Sequence, residues 1–199
     1  MSSDNIIPIN SDKPIRADAA RNRRALLDTA QRLFIQKGIE DVTMSSIAKE
    51  AGVGKGTLYR HFADKVAVCH ALLDEDMRAF QQSTLEQIRA CDNPFDSLQW
   101  FLEKAATYIV DHNELLIEAA NQGGVDMLNH PAHIWWRQTI VGLLARLELD
   151  TDIGYMADIL YVMLDAQTIR FQRRVQGYDL KRIVDGLHMV LFRLSNTAS

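Results

Sequence analysis

The sequence predicts an all-α protein of about nine helices, and three observations lead there. Apolar residues recur at spacings of three, four and seven along most of the 199 residues, which places them on single helical faces. Pro, Gly, Asn, Asp and Thr stand where such helices would start and stop. No stretch alternates apolar and polar residues between turn signals, and no internal repeat is visible. A chain of this length can bury one sizeable core or two small ones, and 47% hydrophobic residues is ordinary for a folded protein.

Residues 1–18 mix Ser, Asn, Asp and two prolines without periodicity and read as a flexible tail. The first helix is expected from about Ala19 to Lys37. Its apolar face is Leu26, Leu27, Ala30, Leu33 and Phe34, and Gly38 closes it. Arg21, Arg23 and Arg24 cluster at that expected start, where the helix dipole disfavours positive charge by ~0.3–1 kcal/mol. They read either as a solvated basic surface or as phosphate or minor-groove contacts.

Thr43 can cap a second helix that carries Met44, Ile47, Ala48 and Ala51 on one face. Gly52 ends it by taking the left-handed backbone of a sharp turn, and Val53 can plug the angle between two crossing helices. A third helix from about Lys55 to Phe62 buries Leu58 and Phe62. It presents Lys55, Thr57, Tyr59, Arg60 and His61, the dress of the second helix of a helix-turn-helix.

Asp64 caps a long fourth helix through Leu72, Met77 and Phe80 to about Arg89. Asn93 and Pro94 start a helix that reaches about Val110, and Asn113 opens a short one from Glu114 to Gln122 that Gly123 and Gly124 end. Pro131 starts the next, which stops near the turn before Ile153. A long helix then runs from Ile153 to about Gln176, with Gly177 as its stop and Asp165, Gln167 and Arg170 interrupting its apolar run as rim, paired or plain surface residues. Asp179 caps the last helix, where Met189, Val190 and Phe192 widen the apolar surface beyond one stripe. A second subunit is the simplest cover. The expected division is a tail to residue 18, a helix-turn-helix domain over 19–63, a connecting helix over 64–90, and a ligand-binding and dimerisation domain over 91–199.

The formal net charge of −4 is unevenly spread, with +5 between Lys13 and Lys65 and −7 from Val66 onward. Only the N-terminal third can attract a polyanion. No apolar run is long enough to span a membrane and no basic, apolar leader opens the chain, so a cytoplasmic protein is expected. Cys69 and Cys91 are expected as free thiols of a reducing compartment. No phosphate-binding loop, nucleophile elbow or H-E-x-x-H appears, and the H-x-x-H of His130 and His133 lacks a clear third ligand. Neither catalysis nor a cofactor or metal is expected.

The segment RALLDTAQRLFIQKGIEDVTMSSIAKEAGVGKGTLYRHFADKVAVCHALL resembles the DNA-binding domain of the TetR/AcrR family of bacterial transcriptional regulators. The resemblance covers about Arg24 to Leu73 and rests on A-x-x-L-F-x-x-x-G at Ala30 to Gly38, on Thr43 to Gly52, and on G-x-L-Y-x-H-F at Gly56 to Phe62, all in the right order. One departure is Gly54, where many members carry Ser; Gly is within a few tenths of a kcal/mol as a cap, but any hydroxyl contact is lost.

The helix-turn-helix reading sets Lys55 and Thr57 nearest the base edges, with Gly56 allowing close backbone approach. The resemblance makes Tyr59, Arg60 and His61 phosphate-gripping positions, although Arg60 could read a guanine, Tyr59 could be a core aromatic and His61 could simply end its helix. Thr43 and Lys65 begin helices whose amides suit phosphates. The resemblance further implies a repressor that binds a double-stranded DNA operator as a homodimer through its last two helices and is released by a small-molecule effector. Trp100, Tyr108, His112, Glu118, Gln122, Trp136 and Arg137 are the candidate pocket residues, being large or polar groups on helices that otherwise read as core. An effector-independent DNA-binding or architectural protein, and less so a helical enzyme, are the competing expectations.

Overall fold

Ten helices follow one another without a strand through the residues that the computed structural model describes, 12–120 and 131–196. They fall into two units, Met1–Leu72 and Leu73–Ser199. In the first, α1 (Asp12–Lys37) starts well before Ala19. Pro14 lies in its first turn, where backbone amides have no intrahelical partner to lose, so a residue that reads as tail punctuation is tolerated inside the helix. The three arginines therefore sit away from the positive helix end. Arg21 pairs with Asp18 at 2.9 Å, Arg24 with Asp28 at 3.0 Å, and the Arg23 guanidinium lies 5.3 Å from the centre of the Phe62 ring.

Gly38 ends α1 at φ +82°, its amide donating to the Phe34 carbonyl at 2.9 Å. Helix α2 (Met44–Glu50) opens on a reciprocal cap: the Ser46 amide donates to Thr43 Oγ1, and the Thr43 amide donates to Ser46 Oγ, each at 3.1 Å. Gly52 at φ +68° turns the chain, and the Val53 amide returns to the Ala48 carbonyl at 3.0 Å. Helix α3 (Lys55–His61) is anchored by Leu58, which is fully buried with Leu26, Ala30, Leu33, Ile47 and Phe62. Arg32 on α1 reaches Glu50 of α2 at 3.0 Å. Asp64 caps α4 (Lys65–Ala90) through the Ala67 amide at 2.8 Å, and Leu72, where the first unit ends, lies inside this helix.

In the second unit α5 (Pro94–Asp111) is the central helix, packing on α6 (Asn113–Ala120), α7 (Pro131–Ala145), α9 (Ala166–Arg174) and α10 (Leu180–Asn196). Asn93 caps it at the Phe95 amide, with Pro94 at the first helical position. Phe80 of α4 stacks on Phe101 and Tyr108 with ring centres 5.4 and 6.0 Å apart, and meets Trp135 and Trp136 edge-on at 5.6 and 5.5 Å. This aromatic cluster fills the space between α4, α5 and α7.

The single long helix expected over Ile153–Gln176 is two helices, α8 (Ile153–Met163) and α9. The chain tightens at the break, where the Leu164 and Asp165 amides donate to the carbonyls of Tyr161 and Val162, three residues back. The Asp165 carboxylate then takes the Thr168 amide at 2.8 Å and starts a new helix. An acid inside an apolar run is here an N-cap. Gln122, Gly123, Gly124 and His130 lie outside the described residues. Neither Cys69 nor Cys91 forms a disulfide among the described residues, where no helix is long and apolar enough to cross a membrane.

Candidate functional site

Helices α2 and α3 form a helix-turn-helix whose buried side is Ile47, Ala48 and Leu58 and whose other side carries polar and basic groups. Lys55, Gly56 and Arg60 are exposed, Thr57 is half-buried, and Tyr59 is 52% exposed, which removes it from the core. A Cβ added at Gly56 would meet nothing within 4 Å, so the fold itself makes no demand for glycine there. Gly54 caps α3 with extended backbone at φ −66° and ψ 147° and no side-chain hydrogen bond.

Two expected anchors are placed differently. Lys65 donates from Nζ to the Ile39 carbonyl at 2.9 Å in a half-buried position, tying the start of α4 to the loop after α1. His61 buries its Nε2, which meets no hydrogen-bond partner among the described residues. Thr43 spends its hydroxyl on the Ser46 amide, holding the start of α2 in register.

The second unit contains a cavity of about 390 Å³. Its walls include Met77, Ile109, Leu116, Ile117 and Leu164, and its polar groups are His133, Trp136, Tyr161, Asp165 and Gln167. Trp136 donates from Nε1 to Met77 Sδ at 3.3 Å, and Tyr161 is hydrogen-bonded to His133 Nδ1. Burial, then the nearby Asp165 charge, push the Tyr161 phenol up to about 12.

The comparisons with known proteins bear on this geometry. Residues 26–72, which span α1 from Leu26 through α3 and into α4, match the family described as bacterial regulatory proteins, tetR family. The same residues carry the helix-turn-helix. Over that segment the chain is similar to the tetR family. An HTH-type transcriptional regulator of Staphylococcus aureus strain MRSA252 is 36% identical over 109 residues, 54% of this chain and 59% of that one. The chain thus spans about 59% of the length of that curated relative. Two solved structures share the fold. A TetR/AcrR-family regulator from Thermobifida fusca has a TM-score of 0.67 at 18% identity, covering 90% of this chain and 99% of its own. FadR from Bacillus subtilis in complex with stearoyl-CoA has 0.66 at 20%, covering 84% and 96%.

One of the residues expected in a pocket, Trp136, lines the cavity. Tyr108 is buried, donating to the Leu73 carbonyl at 3.2 Å and stacking on His112, and His112 in turn reaches Asp76 at 2.8 Å. Burial first, then the charges of Asp76 and Asp74, drive the Tyr108 phenol well above its ordinary value. Arg137 pairs with Asp158, with Nη2 at 3.1 Å, and holds that carboxyl below the usual range chiefly by hydrogen bonding. Trp100 and Glu118 lie on α5 and α6, half-buried at Glu118 and Trp100 alike, and do not line this cavity. Met77, His133, Tyr161, Asp165 and Gln167 were not foreseen; the one local signal was an acid at 165 breaking an apolar run.

Proposed function

We propose that the chain is a DNA-binding transcriptional regulator, a repressor that sits on a palindromic operator as a homodimer and leaves it when a small molecule enters the cavity of the second unit. The carrying observation is α3 itself, held from beneath by the fully buried Leu58 while Lys55, Gly56, Tyr59 and Arg60 stand exposed in the basic third of the chain. Lys55 and Thr57, at the start of α3, read base edges in the major groove, and Lys55 suits guanine O6 or N7. Tyr59 and Arg60 grip phosphates, and Arg60 is long enough to read a guanine instead. Thr43 and Lys65 act by positioning the ends of α2 and α4.

One helix-turn-helix rarely supplies operator affinity, so two heads on half-sites about one helical turn apart, ~34–36 Å or a multiple, fit the reading. The effector acts by binding one arrangement of the dimer better than the other. Met77 supports this, since it lines the cavity and belongs to α4, the helix that begins in the DNA-binding unit. The cavity also favours a responsive regulator over an effector-independent architectural protein. Such a regulator works in the cytoplasm, where the DNA is.

Selection of bound genomic fragments by the purified chain, followed by release with candidate metabolites, tests the whole reading. Enrichment of an inverted repeat supports it. Binding without sequence preference, or without release by any metabolite fraction, favours the architectural alternative.

A further inference from the structure

We propose that the cavity takes a lipophilic amine, an apolar tail ending in a protonated nitrogen, in preference to the matching acid; this rests on the effector reading above. The walls formed by Met77, Ile109, Leu116, Ile117 and Leu164 suit a hydrocarbon tail. Among the described lining residues there is no Lys or Arg to meet an anionic head.

The polar end discriminates further because it carries a carboxylate, Asp165. Trp136 Nε1 donates to Met77 Sδ at 3.3 Å. The Tyr161 hydroxyl is hydrogen-bonded to His133 Nδ1. Its oxygen keeps a lone pair for a ligand. Asp165 lines the same end as a carboxylate, with Oδ2 accepting from the Thr168 amide and hydroxyl at 2.8 and 3.0 Å. Gln167 can donate or accept and does not bias the choice. A head that donates and carries positive charge therefore finds partners, whereas a carboxylate would stand beside the like charge of Asp165.

Asp165 is exposed, so a nitrogen beside it keeps part of its water while the tail is buried. The same exposure screens the charge and limits the amine preference over a neutral head to about threefold to tenfold. Thr168 and Asp165 also define α9, and Asn caps a helix as well as Asp does, so Asp165→Asn removes the charge while keeping the helix start.

The test is calorimetric titration of the full chain with decylamine, decanol and decanoate below their micelle concentrations, with and without Asp165→Asn. The expected order is decylamine tightest, decanol about threefold to tenfold weaker and decanoate weakest, with the amine preference over decanol collapsing toward one in Asp165→Asn. Ile117→Phe, which places a larger ring at the cavity wall, is expected to weaken all three, separating cavity binding from adhesion to the acidic surface. Decanoate binding as tightly as decylamine overturns the proposal, as do an amine preference that survives Asp165→Asn, amine binding indifferent to Ile117→Phe, and no binding by any probe. The operator complex is the second readout. If decylamine binds as expected but leaves a gel-shifted operator complex intact, the ligand class stands and the effector reading falls.

Discussion

At the scale of single residues, Lys55 and Lys65 are separated by what their ammonium groups touch. Lys65 already donates to the Ile39 carbonyl, so its first duty is to the fold of the head. Lys65→Met is expected to lower stability in urea unfolding by about 1–2 kcal/mol, the range for a half-buried charge-assisted hydrogen bond, while the salt dependence of operator binding stays as it was. Lys55 is exposed at the start of α3. Gel shifts with Lys55→Ala are expected to show a loss of about 1–3 kcal/mol in operator affinity and a broader sequence preference. If the two variants exchange these behaviours, the assignment of α3 to the groove is wrong.

Tyr161 supplies a pH dependence at the same scale. Its phenol titrates near its ordinary value when unfolded and up to about 12 when folded, so the fold favours the protonated form. The sign follows: the contribution is fully present below about pH 10 and is lost as pH rises toward 12. Thermal melting is expected to fall through that window, and Tyr161→Phe is expected to fall less steeply there. The phenol is only partly buried, so the difference between the two slopes is small. Tyr108, raised still further, sustains a decline in both proteins.

At the scale of elements, the break between α8 and α9 has a definite cause in Asp165. Asp165→Ala leaves the Thr168 amide without its acceptor and is expected to cost about 0.5–2 kcal/mol in urea unfolding, while Asp165→Asn costs less. That break was hidden in the sequence because apolar residues at helical spacing continue on both sides of it, so one helix or two satisfy the same pattern. The turn between α2 and α3 was legible for the opposite reason. Thr43 and Gly52 act through neighbours a few residues away, and local chemistry is what a sequence displays. Tyr108 was misplaced because its hydroxyl partner, the Leu73 carbonyl, lies 35 residues upstream. The cavity was out of reach for the same reason, since Met77, Ile117, Trp136 and Tyr161 come from four different helices. Spacing within a helix says which face is apolar and nothing about whether that face meets a neighbour or a void.

At the scale of the whole molecule, the second unit keeps large apolar side chains uncovered where a solitary chain gains nothing from them. Tyr155, Val162, Phe171, Val175 and Met189, on or just after α8, α9 and α10, are exposed, with Phe171 at 52% and Met189 at 60%. Single exposed apolar residues, such as Leu85 on α4 and Ile134 on α7, are ordinary, but their concentration on the last three helices fits a surface closed by a second copy. Phe171 and Met189 do not line the cavity, which makes them the cleaner probes of that surface. The double variant Phe171→Lys, Met189→Lys is expected to sediment as a monomer where the unaltered chain sediments as a dimer. Two charges placed in an apolar interface are desolvated without partners, whereas on an exposed monomer surface they remain hydrated. The DNA-binding residues are untouched, so binding to an isolated half-site persists. Binding to the full inverted repeat is expected to drop by about a hundredfold or more, because the second head no longer arrives at high effective concentration. A double variant that remains a dimer would move the interface away from these helices. A monomer that binds the full repeat undiminished would overturn the need for two heads.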